Sequence, residues 1–550
     1  MLSRDAEPRR KPEARELIAS IVFGSLLILM AVVAAFGPAA PAAAAAVPDT
    51  FVLALASDPV TLNPIYAGDR SSLVAVNFVF DGLFTRKPEG GYTGALVSTY
   101  DVSKDGLTYT LHLRRGVKWH DGKPFTSADV VFTLECVLDP KQGSPFRESF
   151  VIDGTPMKVS APDDDTVVIK LPKPFAPLIF NLSDFNIRML PKHLLADESD
   201  LQKVAFNQHP VGTGPFKFVK WTSGDRVVLT RNDSYWRGKP GVKNVVLRIV
   251  PDSNSQRIAM KAGDIDAMGL PAADYAQVAA DPDVDVVKYE EGRVQSLILN
   301  MRRAPLNDLA VRRAIAYAVD KKALVQAVLM GMGTPAYSPF APTDVGYTSA
   351  VAKYEYDPKK AEDVLDDAGW KKGADGIRGK GGNRLSFELI YQEGRQADQK
   401  LALIMQAELK QVGIEMKLRS LEGSAFVKEM LDPSDPKPYD ALLNGWIMGP
   451  ESDSYYSIFG STQYPKGYNM AGYSSGKVDD LFDQARIESD SAKRASIYGG
   501  IQKEIMNDVP LVPLFYNKGL FAVSKRIGGV EKAGVIPVFY VGQPWYLTVK

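Results

Sequence analysis

The chain has 550 residues, of which 45% are hydrophobic and 24% are charged, with 65 basic and 65 acidic side chains. One hydrophobic core rarely grows beyond roughly 250–300 residues, so we expect at least two lobes. The formal net charge of zero argues against a nucleic-acid-binding protein, which needs a surplus of basic side chains to neutralise phosphates.

The first 46 residues predict a secretory signal peptide. A charged segment precedes an uninterrupted apolar run at 17–36, and an alanine-rich stretch follows in which Ala44 and Ala46 form an A-x-A pattern. We therefore expect cleavage near Ala46 and export to the periplasm. The alternative is an uncleaved membrane anchor, because the apolar run is about as long as a helix that spans a bilayer.

The only cysteine is Cys136, so no disulfide can form within one chain. It lies in an apolar helical pattern, which predicts a packing role rather than a reactive thiol.

Strand and helix signals alternate through the first half of the chain. Residues 108–114 and 166–171 alternate apolar and polar side chains, which predicts two half-buried strands. Between them, Thr126 is placed to cap a helix, with Asp129 three residues further on.

The second half continues the alternation. Asp357 predicts the cap of a helix that ends at Gly369, and residues 309–331 predict one or two helices that end at Gly331. Ser491 predicts the cap of a helix that stops before Pro510, and a strand follows. This order of elements is typical of an α/β protein.

No constellation of catalytic residues is found. The four histidines, His112, His120, His193 and His209, have no metal-ligand spacing with Cys, Asp or Glu, so we expect ordinary surface histidines at His112 and His120. We therefore expect neither an enzyme nor a bound cofactor or metal.

Several dispersed segments resemble one family of proteins. The segment VGTGPFKFVKWTSGDRVVLTRNDSYWRGKP at 211–240 is similar to the signature of the extracellular solute-binding proteins of the peptide/nickel type, the soluble receptors of ABC importers. Further similar segments follow the same order along the chain, at 106–140, 297–324, 356–370 and 473–485. Within 211–240, glycines and aromatic side chains predict mainly a scaffold role rather than ligand contact.

The resemblance implies a two-lobed α/β periplasmic-binding-protein fold whose ligand lies between lobes that close like a hinged clamp. Two strands would cross between the lobes, near 293–300 and 512–519. The resemblance also implies a monomeric receptor that delivers its solute to a membrane permease and ATPase. The predicted boundaries are 47–93, 208–296 and 514–550 for lobe I, 94–207 for an extra subdomain of lobe I, and 297–513 for lobe II.

The segment GWIMGPESDSYYSIF at 445–459 is too broken for a long helix and unusually aromatic for a loop. The resemblance implies that it lines the cleft and pairs its main chain with an extended peptide, as an added strand would. Gly445, Trp446 and Ile447 are the predicted contacts, and Gly68 and Asp69 form a second predicted backbone segment. The alternative for Trp446 is plain core packing.

One position departs from the family pattern. Peptide receptors of the family commonly carry an aspartate three residues after this tryptophan, where it pairs with the ligand's α-ammonium; this chain has Gly449. Asp453, ahead of Glu451, is the best remaining partner. If neither reaches the ligand, the solute would be a modified peptide, an opine-like compound, a small sugar or a metal chelate.

The opposite end of a peptide carries a carboxylate. Arg395, with Gln392 beside it, lies in a segment that resembles the family's cleft loop, and a guanidinium can hold a carboxylate through two parallel hydrogen bonds. The alternative is a solvent-exposed arginine. The leading hypothesis is therefore a peptide receptor for import, with a sensory receptor on the same fold as the alternative and a peptide hydrolase disfavoured.

Overall fold

The computed structural model describes residues 49–87, 91–534 and 541–550. The predicted signal peptide, its cleavage site and the apolar run at 17–36 lie outside the described residues. Within these ranges, the helices are all too short or too polar to traverse a bilayer.

The strands of the described chain are short except for two. They are β1 Thr50–Leu55, β2 Phe84–Arg86, β3 Tyr92–Gly94, β4 Val97–Val102, β5 Thr108–Leu113, β6 Val151–Ile152, β7 Thr155–Pro156, β8 Lys158–Asp163, β9 Thr166–Lys170, β10 Phe216–Thr222, β11 Arg226–Arg231, β12 Asn244–Ile249, β13 Ala267–Gly269, β14 Val284–Leu299, β15 Gly333–Pro335, β16 Lys371–Lys372, β17 Arg378–Lys380, β18 Asn383–Arg384, β19 Ser386–Gln392, β20 Glu415–Leu421, β21 Ala441–Ile447, β22 Leu511–Ser524, β23 Ile527–Gly528 and β24 Thr548–Val549.

The helices are α1 Arg70–Val79, α2 Ser127–Leu138, α3 Leu178–Asn181, α4 Lys192–Leu195, α5 Ser253–Lys261, α6 Tyr275–Ala279, α7 Leu309–Ala318, α8 Lys321–Leu329, α9 Pro358–Asp367, α10 Gln396–Gln411, α11 Gly423–Met430, α12 Tyr456–Phe459, α13 Gly476–Ile487, α14 Ser491–Asp508 and α15 Val530–Ala533. Short 3₁₀ turns connect some of them, and the one used below is Ser452–Tyr455.

The buried apolar side chains divide into those of two lobes. In the first lobe, one large cluster contains residues between 51 and 267 and between 521 and 547. In the second lobe, two clusters lie entirely between 297 and 515. The first lobe therefore takes both ends of the described chain, and the second lobe is a single insertion. The first lobe also carries a four-stranded sheet in the order β4-β5-β9-β8.

The two long strands join the lobes. One sheet of eleven described strands runs in the order β10-β11-β12-β1-β13-β22-β14-β21-β19-β20, with β15 paired to β22 beside this path. β14 and β22 are antiparallel along both lobes, with a break in register between Glu290 and Val294. Gly292 lies inside that break with a φ of 71°, a left-handed conformation that favours glycine. The two predicted crossing segments lie in these strands.

Most local predictions are confirmed. β5 and β9 form where alternation predicted them, with Tyr109, Leu111 and Leu113 buried, and Asp129 accepts a hydrogen bond from the Thr126 amide at 2.9 Å. Asp357 caps α9 through the Lys360 amide.

Residues 309–331 form two helices, which is one of the two predicted alternatives, and Val319 and Asp320 separate them. Cys136 has the predicted packing role: it is half-buried against the core of the first lobe, where burial raises its thiol pKa to about 12. One local prediction is wrong. The cap of α14 is Asp490 rather than Ser491, because the Asp490 carboxylate accepts from the Lys493 amide at 2.8 Å.

The family-like segment at 211–240 has the predicted scaffold role. Asp81, at the end of α1, accepts hydrogen bonds from Thr213 Oγ1 at 3.0 Å, Tyr235 Oη at 2.8 Å and Trp236 Nε1 at 3.0 Å. The segment therefore folds around one buried carboxylate of the first lobe, since a buried charge requires hydrogen-bonding partners.

Candidate functional site

The Gly-Trp segment forms a strand with one open edge. β21 pairs antiparallel with β14 along its whole length, from Leu299↔Ala441 to Arg293↔Ile447. On the opposite side, its pairing with β19 consists of Leu389↔Ala441 and Ile390↔Leu442. In the described part of the chain, residues 443–447 thus have a strand on one side only. An open edge of this kind can accept an added strand.

The three predicted backbone contacts, Gly445, Trp446 and Ile447, all lie on this open stretch. The Trp446 side chain is half-buried and packs against the core of the second lobe, so the packing role predicted as its alternative is present alongside the open main chain. The Ile447 side chain is 39% exposed. The main chain, rather than the tryptophan ring, is what this strand offers a ligand.

Gly445 makes room for two polar side chains of the crossing strand β14. A Cβ at position 445 would collide with Gln295 Oε1 and lie 2.9 Å from Arg293 Nε. Arg293 and Gln295 are two residues apart on β14, so their side chains leave the strand on the same face. They cross directly over the glycine.

Arg395 joins the same polar group through Asp398. Arg395 Nη1 lies 3.8 Å from Asp398 Oδ2, and its side chain is 51% exposed. Gln295 Nε2 lies 3.5 Å from Asp398 Oδ1. Burial raises the pKa of the Asp398 carboxyl, and the charges of Arg395 and Arg293 oppose this effect. Gln392 ends β19, with its amide nitrogen 2.9 Å from the place of a Cβ on Gly423.

Asp453 and Glu451 already have cationic partners. Asp453 Oδ1 accepts from Arg486 Nε at 2.8 Å, and the buried Glu451 is held by both nitrogens of the Arg494 fork at 2.6 and 3.0 Å. Burial raises the pKa of Asp453, and Arg486 opposes this effect. The expectation that Asp453 presents a free carboxylate to a ligand ammonium is thereby corrected, because Arg486 neutralises it.

The family's aspartate position is covered by aromatic rings. Gly449 has a φ of 77°, and a Cβ there would lie 3.0 Å from the Phe185 ring and 3.6 Å from the Phe180 ring. Both rings belong to the first lobe, whereas Gly449 belongs to the second. The two lobes therefore touch, as the hydrogen bond from the Ala176 amide to the Arg486 carbonyl at 2.6 Å also shows.

A cavity of about 370 Å³ remains between the lobes beside this contact. Phe175, Phe180 and Asn181 line it from the first lobe, and Asp453, Tyr456 and Arg486 line it from the second.

Gly68 and Asp69 lie at the start of α1 in the first lobe. Gly68 is exposed, and the Asp69 carboxylate caps the helix by accepting from the Ser72 amide at 2.9 Å. Among the described residues, no hydrogen bond or ion pair joins them to β21. The structure thus brings Arg395 and Gly445 together but leaves this second segment apart from them.

Arg293, Gln295 and Asp398 were missed from the sequence. A signal was present, because Arg293 and Gln295 stand at alternate positions, with Val294 between them, just before the apolar residues 297–299. In a strand that crosses between two cores, alternate polar residues mark one face as different from the apolar face packed on the core.

These features define a class of protein: a two-lobed receptor whose lobes are joined by two strands, with an open strand edge and charged side chains at the junction. Nothing in this arrangement resembles a nucleophile with its base, and the described residues contain no cluster of metal-ligating side chains.

Comparison with known proteins gives the family. The model described as "Bacterial extracellular solute-binding proteins, family 5 Middle" matches residues 91–466, more than half of the chain. The chain therefore belongs to this family of solute-binding receptors.

Curated relatives match along nearly their whole length. The chain is 31% identical over 484 residues to the oligopeptide-binding protein AppA of Bacillus subtilis, covering 86% of this chain and 87% of the relative. It is 28% identical over 505 residues to heme-binding protein A of Haemophilus influenzae, covering 88% and 89%.

Solved structures show the same fold. The ABC transporter substrate-binding protein CtaP of Listeria monocytogenes is 30% identical with a TM-score of 0.83, covering 91% of this chain and 99% of that one. AppA of Bacillus subtilis in complex with a nonapeptide is 30% identical with a TM-score of 0.72, with the same coverage. The two-lobed fold implied by the resemblance is confirmed.

Proposed function

We propose that this protein is the receptor of an ABC importer and captures peptides between its lobes. The open edge of β21 at 443–447 carries the proposal, because an extended peptide can add to it through main-chain hydrogen bonds whatever its side chains. The relatives named for oligopeptide binding and solved with a nonapeptide support this reading.

Each site residue has a part in the proposal. Gly445, Trp446 and Ile447 supply main chain to the ligand, and Arg395 with Gln392 faces its carboxylate end. Gly68 and Asp69 approach the ligand from the first lobe. Asp453 borders the cavity between the lobes, with its charge held by Arg486.

The proposal includes the cellular setting. The first 46 residues direct export and are removed near Ala46, and the mature monomer acts in the periplasm without catalysis of its own. It passes its cargo to a membrane permease driven by an ATPase. Sequencing the N-terminus of the exported protein tests this part; recovery of the intact Met1 form in the membrane fraction would count against it.

Peptide capture through the main chain is tested with backbone-modified peptides. The purified mature protein is stripped of retained solute by unfolding and refolding, and a random-sequence peptide library is offered and read by native mass spectrometry. Captured sequences are then resynthesised with one amide at a time N-methylated. Since N-methylation removes a single donor, we expect at least one position at which binding weakens about tenfold or more. No capture of any peptide would overturn the proposal.

A second candidate is a solute other than a free peptide. It is favoured by Gly449, which the Phe180 and Phe185 rings cover where the family's peptide receptors tend to carry an aspartate. Retained solute from the freshly purified protein, identified by mass, separates the two candidates.

A further inference from the structure

We propose that Arg293 is the anion-binding residue of the cleft, and that the protein selects its ligand by a carboxylate held over Gly445 without requiring a free α-ammonium. This inference rests on the proposed function, since it concerns the ligand that occupies the same cleft.

The position of Arg293 is the first observation. It stands on β14 opposite Ile447, next to the break in register between the lobes. Its Nε and Nη2 atoms lie 2.9 and 3.2 Å from the place of a Cβ on Gly445. The guanidinium therefore lies against the strand whose open edge would receive the ligand, at the junction of the two lobes.

The second observation is that this guanidinium has no acceptor among the described residues. The Arg293 side chain makes no hydrogen bond and no ion pair within 4 Å there. Burial lowers its pKa and the neighbouring Arg395 lowers it further, while Glu291 and Asp398 act in the opposite direction. An arginine nevertheless stays charged and carries five N–H donors, so a mostly buried guanidinium without acceptors is costly until an anion arrives.

The nearby acids, Asp398 and Glu291, do not form an ion pair with Arg293. Asp398 faces Arg395 at 3.8 Å and Gln295 at 3.5 Å, and Glu291 lies outside ion-pair distance of Arg293. A carboxylate of the ligand has two oxygens in one plane, which matches the fork of a guanidinium. Arg293 and Arg395 would then approach it from two elements, β14 and the start of α10.

The third observation concerns the ligand's other end. In the segment at 445–459, Glu451 and Asp453 are both held by arginines, and Gly449 is covered by two phenyl rings. This segment therefore offers an ammonium no unpaired carboxylate. Ligands with a blocked or missing amine, such as N-acylated peptides, fit this arrangement as well as free peptides do.

The experiment offers one random-sequence peptide library in three forms to the stripped mature protein: free, N-acetylated and C-amidated. Native mass spectrometry measures capture. We expect free and acetylated peptides to be captured within about threefold of each other, and amidated peptides at least about tenfold less well. Equal capture of free and amidated peptides, or a tenfold loss on acetylation, would overturn the inference. Capture of none of the libraries would instead overturn the proposed function, and the inference with it.

Two variants assign the effect to Arg293. Arg293→Gln should capture free and amidated peptides equally weakly, and Arg293→Lys, which keeps the charge but loses the fork, should keep part of the preference. Arg115→Gln is the matched control, because it removes the same charge from an exposed pair with Asp165 and should leave the preference unchanged. If Arg293→Gln kept the parent's full preference for free over amidated peptides, the assignment would be refuted. The three libraries offered to the parent protein test the charge preference even if a variant folds poorly.

Discussion

At the scale of single residues, His120 does not have the surface position expected of it. It packs against the loop at 212–214, in the family-like segment. His120 Nδ1 accepts from the Gly212 amide at 3.2 Å, and its Nε2 lies 3.0 Å from the Gly214 carbonyl. This pair of bonds requires the neutral ring with its proton on Nε2. Burial lowers the pKa of His120 to about 4. The expectation of a surface histidine was wrong because a loop nearly one hundred residues away covers it.

His120 should make the protein sensitive to acid. Below about pH 6.5 the unfolded chain protonates this histidine, whereas the folded chain keeps it neutral down to about pH 4. The unfolded state binds more protons in this window, so stability falls as pH falls through it, by as much as about 3 kcal/mol. Urea unfolding at several pH values measures the slope.

His120→Gln should be less stable at neutral pH by about 1–2 kcal/mol, because hydrogen bonds to the loop are lost, but it should lose less stability on acidification. His112→Gln is the control, since that side chain is 44% exposed. A parent and a His120→Gln protein with the same acid slope would contradict this assignment.

Glu451 is expected to be a structural residue rather than a ligand contact. Its carboxylate is buried and held by the Arg494 fork, and Tyr498 Oη donates to it at 3.3 Å. Glu451→Gln leaves the buried guanidinium without its counter-charge, which should destabilise the protein by about 3–5 kcal/mol. Urea unfolding measures this loss. The control is Asp363→Asn, in the exposed pair with Lys359, which should change stability by less than about 1 kcal/mol. A similarly small loss for Glu451→Gln would show that the Glu451–Arg494 pair is not structural.

At the scale of elements, the turn after β21 is where the second lobe meets the first. The turn passes from the strand through Gly449 to the 3₁₀ turn Ser452–Tyr455, and the Phe185 ring of the other lobe rests on it. A glycine is favoured for two reasons: the φ of 77°, and the tight contact of 3.0 Å that a Cβ would make with the Phe185 ring.

Gly449→Ala should weaken the closed arrangement of the lobes. The added methyl group pushes against Phe185, and the alanine is strained at a positive φ by roughly 1–2 kcal/mol. We expect ligand affinity to fall about tenfold, measured by calorimetry with a captured peptide. In a Phe185→Ala background the same substitution should cost less, because only the backbone strain remains. Equal losses in both backgrounds would show that the phenyl ring is not in the way.

At the scale of the whole molecule, two strands connect the lobes within the main sheet of the described chain. β14 and β22 belong to both lobes, and their pairing is interrupted between Glu290 and Val294. A two-stranded ribbon with a break offers little resistance to bending, so the lobes can separate while each core stays intact.

Ligand should therefore convert an open molecule into the closed one described here. Small-angle scattering on stripped protein should show a smaller radius of gyration after a captured peptide is added, because the lobes come together around it. Arg115→Gln should behave like the parent, whereas Gly449→Ala should need more peptide for the same change. A radius that stays constant with verified binding would argue against hinged capture.

The sequence by itself determined the local elements and the family. The capping box of α2, the alternation in β5 and the Asp357 cap each depend on residues within a few positions of one another, so they can be read without knowing the fold. The order of the family-like segments also indicated two lobes and both crossing strands.

The partners of the site residues were decided only by the tertiary structure. Glu451 pairs with Arg494 and Asp453 pairs with Arg486, which lie 43 and 33 residues further along the chain. The phenyl rings that contact Gly449 come from the other lobe. Arg293 reaches Gly445 because β14 and β21 pair in one particular register. Periodicity and capping are local properties, whereas the choice of which charge meets which depends on how distant elements pack. Among the described residues, that packing left the Arg293 guanidinium without a hydrogen-bond acceptor at the junction of the lobes.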